Sequence, residues 1–252
     1  MHRNSVMAAN LPQLDATNDA ARKCRAVTSE AELEERSSDE AVRRGQAIYT
    51  PLVLHAYDAW VLGFSNRLVW RCPTKRLLAH YAEHLRLRHL EAGVGTGYFL
   101  AHARFPPGKP DVTLFDLNPA TLAFGGRRLR HLAPKIAQGN LLAPLPFAER
   151  FDSAAINYVL HCLPGNLEAK SVVFEHLKAV MRPGAVIFGS TLLAEGVTVS
   201  PAGRRLMRIY NKKGIFSNET DSAAGLEAAL KRHFARYTLE RVGSAALFAA
   251  YC

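Results

Sequence analysis

Paired cysteines are missing from this chain. The four present, Cys24, Cys72, Cys162 and Cys252, lie far apart with no C-x-x-C spacing. That argues against a zinc ribbon, a dithiol redox centre or the clustered thiolates of an iron–sulfur radical enzyme, and free thiols are expected. Long apolar runs are missing too: each is broken by a charge or glycine before the roughly 18 to 20 residues that a membrane-spanning helix requires. The first twenty residues lack the apolar centre of a signal peptide and are not rich in arginine. A cytoplasmic chain without membrane association is therefore expected. There is no internal repeat or low-complexity tract, and no metal is expected.

What is present is a globular composition, 48% hydrophobic and 21% charged over 252 residues, enough for one catalytic domain with N-terminal additions. The net charge is +10, yet residues 1–45 hold seven Lys/Arg against eight Asp/Glu, so the surplus sits further on. Basic clusters at 67–76, 127–135 and 204–213 raise the question of an anionic partner, nucleic acid included. The second and third clusters lack interleaved aromatics, and solvated helix faces explain them more simply. A nucleic-acid partner is disfavoured.

Residues 1–44 read as a polar extension, partly disordered or helical, with a charged helix over 29–44 capped by Ser29. Residues 45–86 read as a helical segment. Within it 49–70 is aromatic-rich, Leu54, Tyr57, Val61 and Leu62 follow a helical stripe, and Thr74 caps a second helix over 75–86. Residues 87–252 then alternate. Apolar runs at 88–92, 112–116, 135–138, 151–157 and 185–191, separated by helical or loop segments, give the order of a parallel sheet. Runs at 235–242 and 245–251, joined at Gly243-Ser244, predict an antiparallel hairpin at its end.

The stretch HLEAGVGTGYFLAHA carries the chemistry: a strand ends at Glu91, and Gly93, Gly95 and Gly97 lead into a helix. Glycines there allow close approach of a ligand to the backbone, beside the free N–H groups of the helix start. The spacing differs from the dinucleotide pattern G-x-G-x-x-G, because Tyr98 fills the third glycine's slot. The acidic Glu91 beside the loop would repel a pyrophosphate and attract an ammonium. An amino acid joined to a nucleoside suits the loop better than NAD.

E-A-G-V-G-T-G resembles the E/D-x-G-x-G-x-G signature of class I S-adenosylmethionine-dependent methyltransferases. Further matches follow in order, from VTLFDLNP through KIAQGNLLAPLPF and FDSAAINYVLHCLPG to LKAVMRPGAVIFGSTLL. The resemblance implies an α/β fold: a Rossmann-like, doubly wound, mostly parallel seven-stranded sheet with a C-terminal antiparallel hairpin and an N-terminal helical lid. S-adenosylmethionine is then the cofactor and S-adenosylhomocysteine the product, held in residues 87–252. Asp116, twenty-five residues after Glu91, takes the place of the residue accepting both ribose hydroxyls. Leu117 and Asn118 fall against the adenine. Asn140, followed by Leu141, stands where the family has an aspartate contacting the adenine amino group, and Asn157 and Tyr158 complete the cofactor site after the fourth strand.

The acceptor belongs above the loops after Glu91 and Asn157, outside the carboxyl ends of the strands. His161 is the candidate general base there, since its ordinary pKa lies near neutrality. Tyr49, Tyr57 and Trp70 are candidates to close over the sulfonium or a planar acceptor, and Arg71 to meet the methionine carboxylate. Structural roles compete at each point: a tight turn for the glycines, a helix cap for Asp116, a polar lining for His161 and core packing for the aromatics. The function expected is methylation of a small molecule of specialised metabolism at oxygen, nitrogen or carbon. The alternatives are a nucleic-acid methyltransferase and a non-catalytic cofactor-binding partner, and a homodimer is left open.

Overall fold

A computed structural model describes residues 58–252, without the side chains of residues 59–62. The helix expected over 29–44, the stripe residues Leu54 and Tyr57, and Cys24 lie outside the described residues. Seven strands form one sheet: β1 (Arg88–Ala92), β2 (Asp111–Asp116), β3 (Lys135–Gln138), β4 (Phe151–Asn157), β5 (Met181–Leu192), β6 (Arg236–Val242) and β7 (Ala245–Tyr251). Their order is β3-β2-β1-β4-β5-β7-β6. The first five are parallel, and β7 runs antiparallel to both its neighbours. The order reverses between β1 and β4, which opens the crevice where doubly wound sheets bind ligands.

Period-two alternation divides the strand residues between two cores. Leu90, Phe115, Ala154, Ile156, Ile187 and Phe248 face one side, under the helices α5 (Val172–Ala179) and α7 (Ala223–His233). Val112, Leu114, Ala155, Val186, Phe188 and Ala249 face the other, where α1 (Thr74–His84) and α3 (Pro119–Arg128) lie. Between these, α2 spans Tyr98–His102, α4 Leu167–Lys170 and α6 Pro201–Lys212. Cys72, Cys162 and Cys252 are free thiols. Among the described residues no helix is long and apolar enough to cross a membrane.

Three local expectations change. Thr74 is the first residue of α1 and Pro73 its cap; the Thr74 hydroxyl instead accepts from Asn66 Nδ2 at 3.1 Å. The strand expected over 185–191 begins already at Met181, and its first residues form a bulge. Phe151 pairs with Met181 and Ser153 with Val186, so three extra residues loop outward while Gly184 N donates to Cys252 O. Finally, α1 is no lid: Tyr81 packs edge-on to Phe188, their ring centroids 5.2 Å apart, within the sheet's second core. The boundary at residue 87 cuts through one packing unit. Ahead of α1, Asp58–Val69 winds as a π-helix, which buries Ser65 and Asn66 and leaves Phe64 and Leu68 exposed.

Candidate active site

The three glycines of the β1–α2 loop all have positive φ, +78° at Gly93, +51° at Gly95 and +70° at Gly97. A Cβ on Gly93 would clash with Val159 Cγ2, whereas one on Gly97 would only crowd Leu129 Cδ1 at 3.0 Å, so packing excludes a side chain at Gly93 and the left-handed backbone disfavours one at Gly97. At Gly95 a Cβ would meet nothing within 4 Å among the described residues. Its bare backbone faces open space beside the carboxylate of Asp116, whose Oδ2 lies 3.4 Å from Gly95 N while Oδ1 accepts from Asn118 N at 2.9 Å. Burial pushes the Asp116 carboxyl pKa above its ordinary value, against the pull of hydrogen bonds from Asn118, Thr121, Gly95 and Leu117. A buried carboxylate at a strand end beside the glycine loop suits a diol ligand.

Leu117 and Asn118 follow Asp116 at the start of α3. Asn118 Oδ1 caps that helix by accepting from Ala120 N at 2.8 Å, and Gln138 Nε2 donates to Leu117 O at 2.9 Å. Asn140 lies beyond β3, its Oδ1 accepting from Leu142 N at 3.0 Å in a local turn. Leu141 is buried beside it. Both asparagine carbonyls are thus engaged by the backbone.

Glu91 is buried on β1 and its Oε2 receives two contacts. The Tyr81 hydroxyl donates to it, and His89 Nε2 lies 3.2 Å away. At the end of β4, Ser190 Oγ donates to Asn157 Oδ1 at 3.0 Å, while Asn157 Nδ2 is buried with no partner among the described residues. Tyr158 adopts φ +57°, with its N–H on Ser190 O and its hydroxyl on Asn66 Oδ1 at 3.0 Å. An orphaned buried amide after β4 and a glycine backbone with open space beside it after β1 fit a bound cofactor.

His161, in the 3₁₀ turn Leu160–Cys162, departs from the expectation of a near-neutral base. Leu192 N donates to its Nδ1 at 3.3 Å, and Thr191 Oγ1 lies 3.4 Å from the same atom. Burial, reinforced by the charge of Lys170, lowers its pKa to about 3. Because a backbone N–H only donates, Nδ1 accepts and the ring proton sits on Nε2. The imidazole is therefore neutral and a donor, its edge on Phe216 at 4.6 Å between ring centroids.

The lid candidates separate. Tyr49 and Tyr57 lie outside the described residues. Trp70 is a core residue, 3% exposed among Val69, Leu77, Leu192, Met207 and Leu247, with its carbonyl receiving Ser244 N. Arg71 is exposed at φ +55°. Two contacts the sequence did not announce join the helix ahead of α1 to the glycine loop and to α3: Thr96 Oγ1 donates to Asp58 Oδ1 at 2.6 Å, and Arg128 Nη1 to Asp58 Oδ2. Tyr81, His89 and Ser153, which brace Glu91, were missed as well. The weak signal was their polarity at positions that strand and helix periodicity places inside.

A family model described as a methyltransferase domain matches residues 90–187. Demethylluteothin O-methyltransferase of Streptomyces thioluteus is 39% identical over 225 residues, covering 89% of this chain and 98% of that relative. The physcion biosynthesis cluster O-methyltransferase of Aspergillus chevalieri is 40% identical over 210 residues, 82% of this chain and 94% of its own length. The solved DhpI–SAH complex superposes with a TM-score of 0.60 at 18% identity, covering 85% of this chain and 96% of that one, a likeness of fold. Near-full-length identity at this level accompanies a sheet order and a glycine loop of the matching kind. The chain belongs to the class I S-adenosylmethionine-dependent methyltransferases.

Proposed function

We propose that the chain methylates a hydroxyl oxygen of a small molecule of specialised metabolism. The observation carrying this reading is the 39% identity to an O-methyltransferase of a small natural product across 98% of that relative's length. The crevice supports it, because the groups after β4 are buried and engaged by β5, which suits an enclosed acceptor better than an open basic groove.

When bound, S-adenosylmethionine supplies an electrophilic methyl group on a sulfonium. Asp116 accepts from the ribose diol, and the Gly95 backbone admits the nucleoside at close range. Leu117, Asn118, Asn140 and Leu141 border the adenine, and Glu91 faces the ammonium. Asn157 and Tyr158 hold the methionine end where the acceptor enters. His161 donates through Nε2–H to an acceptor oxygen instead of removing a proton, which favours hydroxyls acidic enough to arrive ionised, such as phenols and enols. Positioning and exclusion of water then supply the rate. The lid is the segment fastened by Asp58.

Methyl-labelled S-adenosylmethionine incubated with phenols, enols, amines and transfer RNA tests the reading. Label on the oxygen of a phenol or enol is expected. Label confined to nitrogen or to RNA would contradict it.

A further inference from the structure

Beneath the glycine loop lies a polar chain sealed from solvent: Tyr81, His89 and Ser153 are fully buried and Glu91 is 3% exposed. It joins three elements, since Tyr81 stands on α1, His89 and Glu91 on β1, and Ser153 on β4 directly opposite His89. Its proton order can be deduced. The Glu91 carboxylate can only accept, so His89 turns an Nε2–H toward its Oε2, 3.2 Å away, with the Tyr81 oxygen at 3.0 Å. Behind the ring, Ser153 Oγ lies 2.8 Å from His89 Nδ1 and accepts from Arg86 N–H at 3.0 Å. The Tyr81 hydroxyl gives its own proton to the same Glu91 oxygen. Burial and the Glu91 charge push the Tyr81 pKa well up, so it stays a donor.

Two donors thus converge on Oε2, and Oε1 has no partner among the described residues. We propose that Tyr81 and His89, with Ser153 behind them, are positioning residues that hold the Glu91 carboxylate turned so that Oε1 receives the ammonium of the cofactor's amino acid half. This rests on the assignment of Glu91 to that ammonium. A buried network with every donor directed is costly to build by chance, because each unsatisfied member would be penalised in the low-dielectric interior.

Calorimetry with S-adenosylhomocysteine and with 5′-methylthioadenosine, which lacks the amino acid half, tests it. Tyr81→Phe should weaken S-adenosylhomocysteine about 10-fold and leave methylthioadenosine within about twofold. The loss should vanish when Glu91→Gln is already present. Ser153→Ala, a milder change, should show a smaller loss confined to the same ligand. Equal weakening of both ligands, or none in either variant, would overturn the proposal. Should wild type prefer methylthioadenosine and ignore Glu91→Gln, the Glu91 assignment itself fails, and the relay with it.

Discussion

Thr96 Oγ1 lies 2.6 Å from Asp58 Oδ1, and through that bond the helical segment ahead of α1 is fastened to the glycine loop. Arg128 from α3 takes the other oxygen of the same carboxylate. Asp58→Ala should lower the unfolding free energy by about 1 kcal/mol, since the pair is only partly buried, and weaken S-adenosylhomocysteine several-fold. Urea titration and calorimetry read the two effects; stability and affinity both unchanged would show that the fastening is idle.

Gly93 and Gly95 should separate folding from binding. Gly95→Ala keeps a left-handed residue in open space, so it should cost about 1 to 2 kcal/mol of stability while S-adenosylhomocysteine binding falls at least tenfold. Gly93→Ala drives a methyl into Val159 and should cost about 2 to 4 kcal/mol. Thermal melts with and without ligand decide; full binding by Gly95→Ala would remove the close approach.

Asp116 sets a pH dependence with a definite sign. Its carboxyl is raised by burial in the free protein, and ribose hydroxyls favour the ionised form. Cofactor affinity should therefore fall as pH drops through the raised pKa of this carboxyl. Calorimetry from pH 8 downward should show that decline in wild type and lose it in Asp116→Asn, which binds weakly throughout. A decline retained in the variant would assign it elsewhere.

His161 makes folding itself depend on pH. Its pKa falls from 6.5 to about 3 in the native state, so the unfolded chain binds the proton that the native ring refuses. Stability from this group is full above pH 6.5 and is lost as pH falls toward 3, by about 1.4 kcal/mol per pH unit in between. His161→Gln should flatten the urea-derived slope between pH 6 and 4. An unchanged slope would mean that the ring takes up its proton normally.

The elements legible in the sequence are those written in local pattern. Alternation gave the strands, and the glycine loop with Asp116 twenty-five residues on gave the cofactor half of the site. What escaped is long-range. Asp58 and Arg128 are seventy residues apart, Ser153 meets His89 only because β4 returns beside β1, and His161 loses its basicity to an enclosure built from β5 and Phe216. Trp70 looked like a lid aromatic because composition cannot tell a ring over a ligand from one under a hairpin. The bulge in β5 was hidden by Pro183-Gly184, which reads as a turn until the pairing with β4 and the C-terminal strand carries the chain past it.

A titration of the purified chain with S-adenosylhomocysteine and, separately, with NAD tests the glycine loop and Asp116 as a methyl-donor site most directly. S-adenosylhomocysteine should bind one per chain, with low-millimolar affinity or tighter, Asp116→Ala should weaken it by about 1.5 to 3 kcal/mol, and NAD should give no heat. Binding of NAD with no binding of S-adenosylhomocysteine, or full affinity in Asp116→Ala, would contradict that assignment.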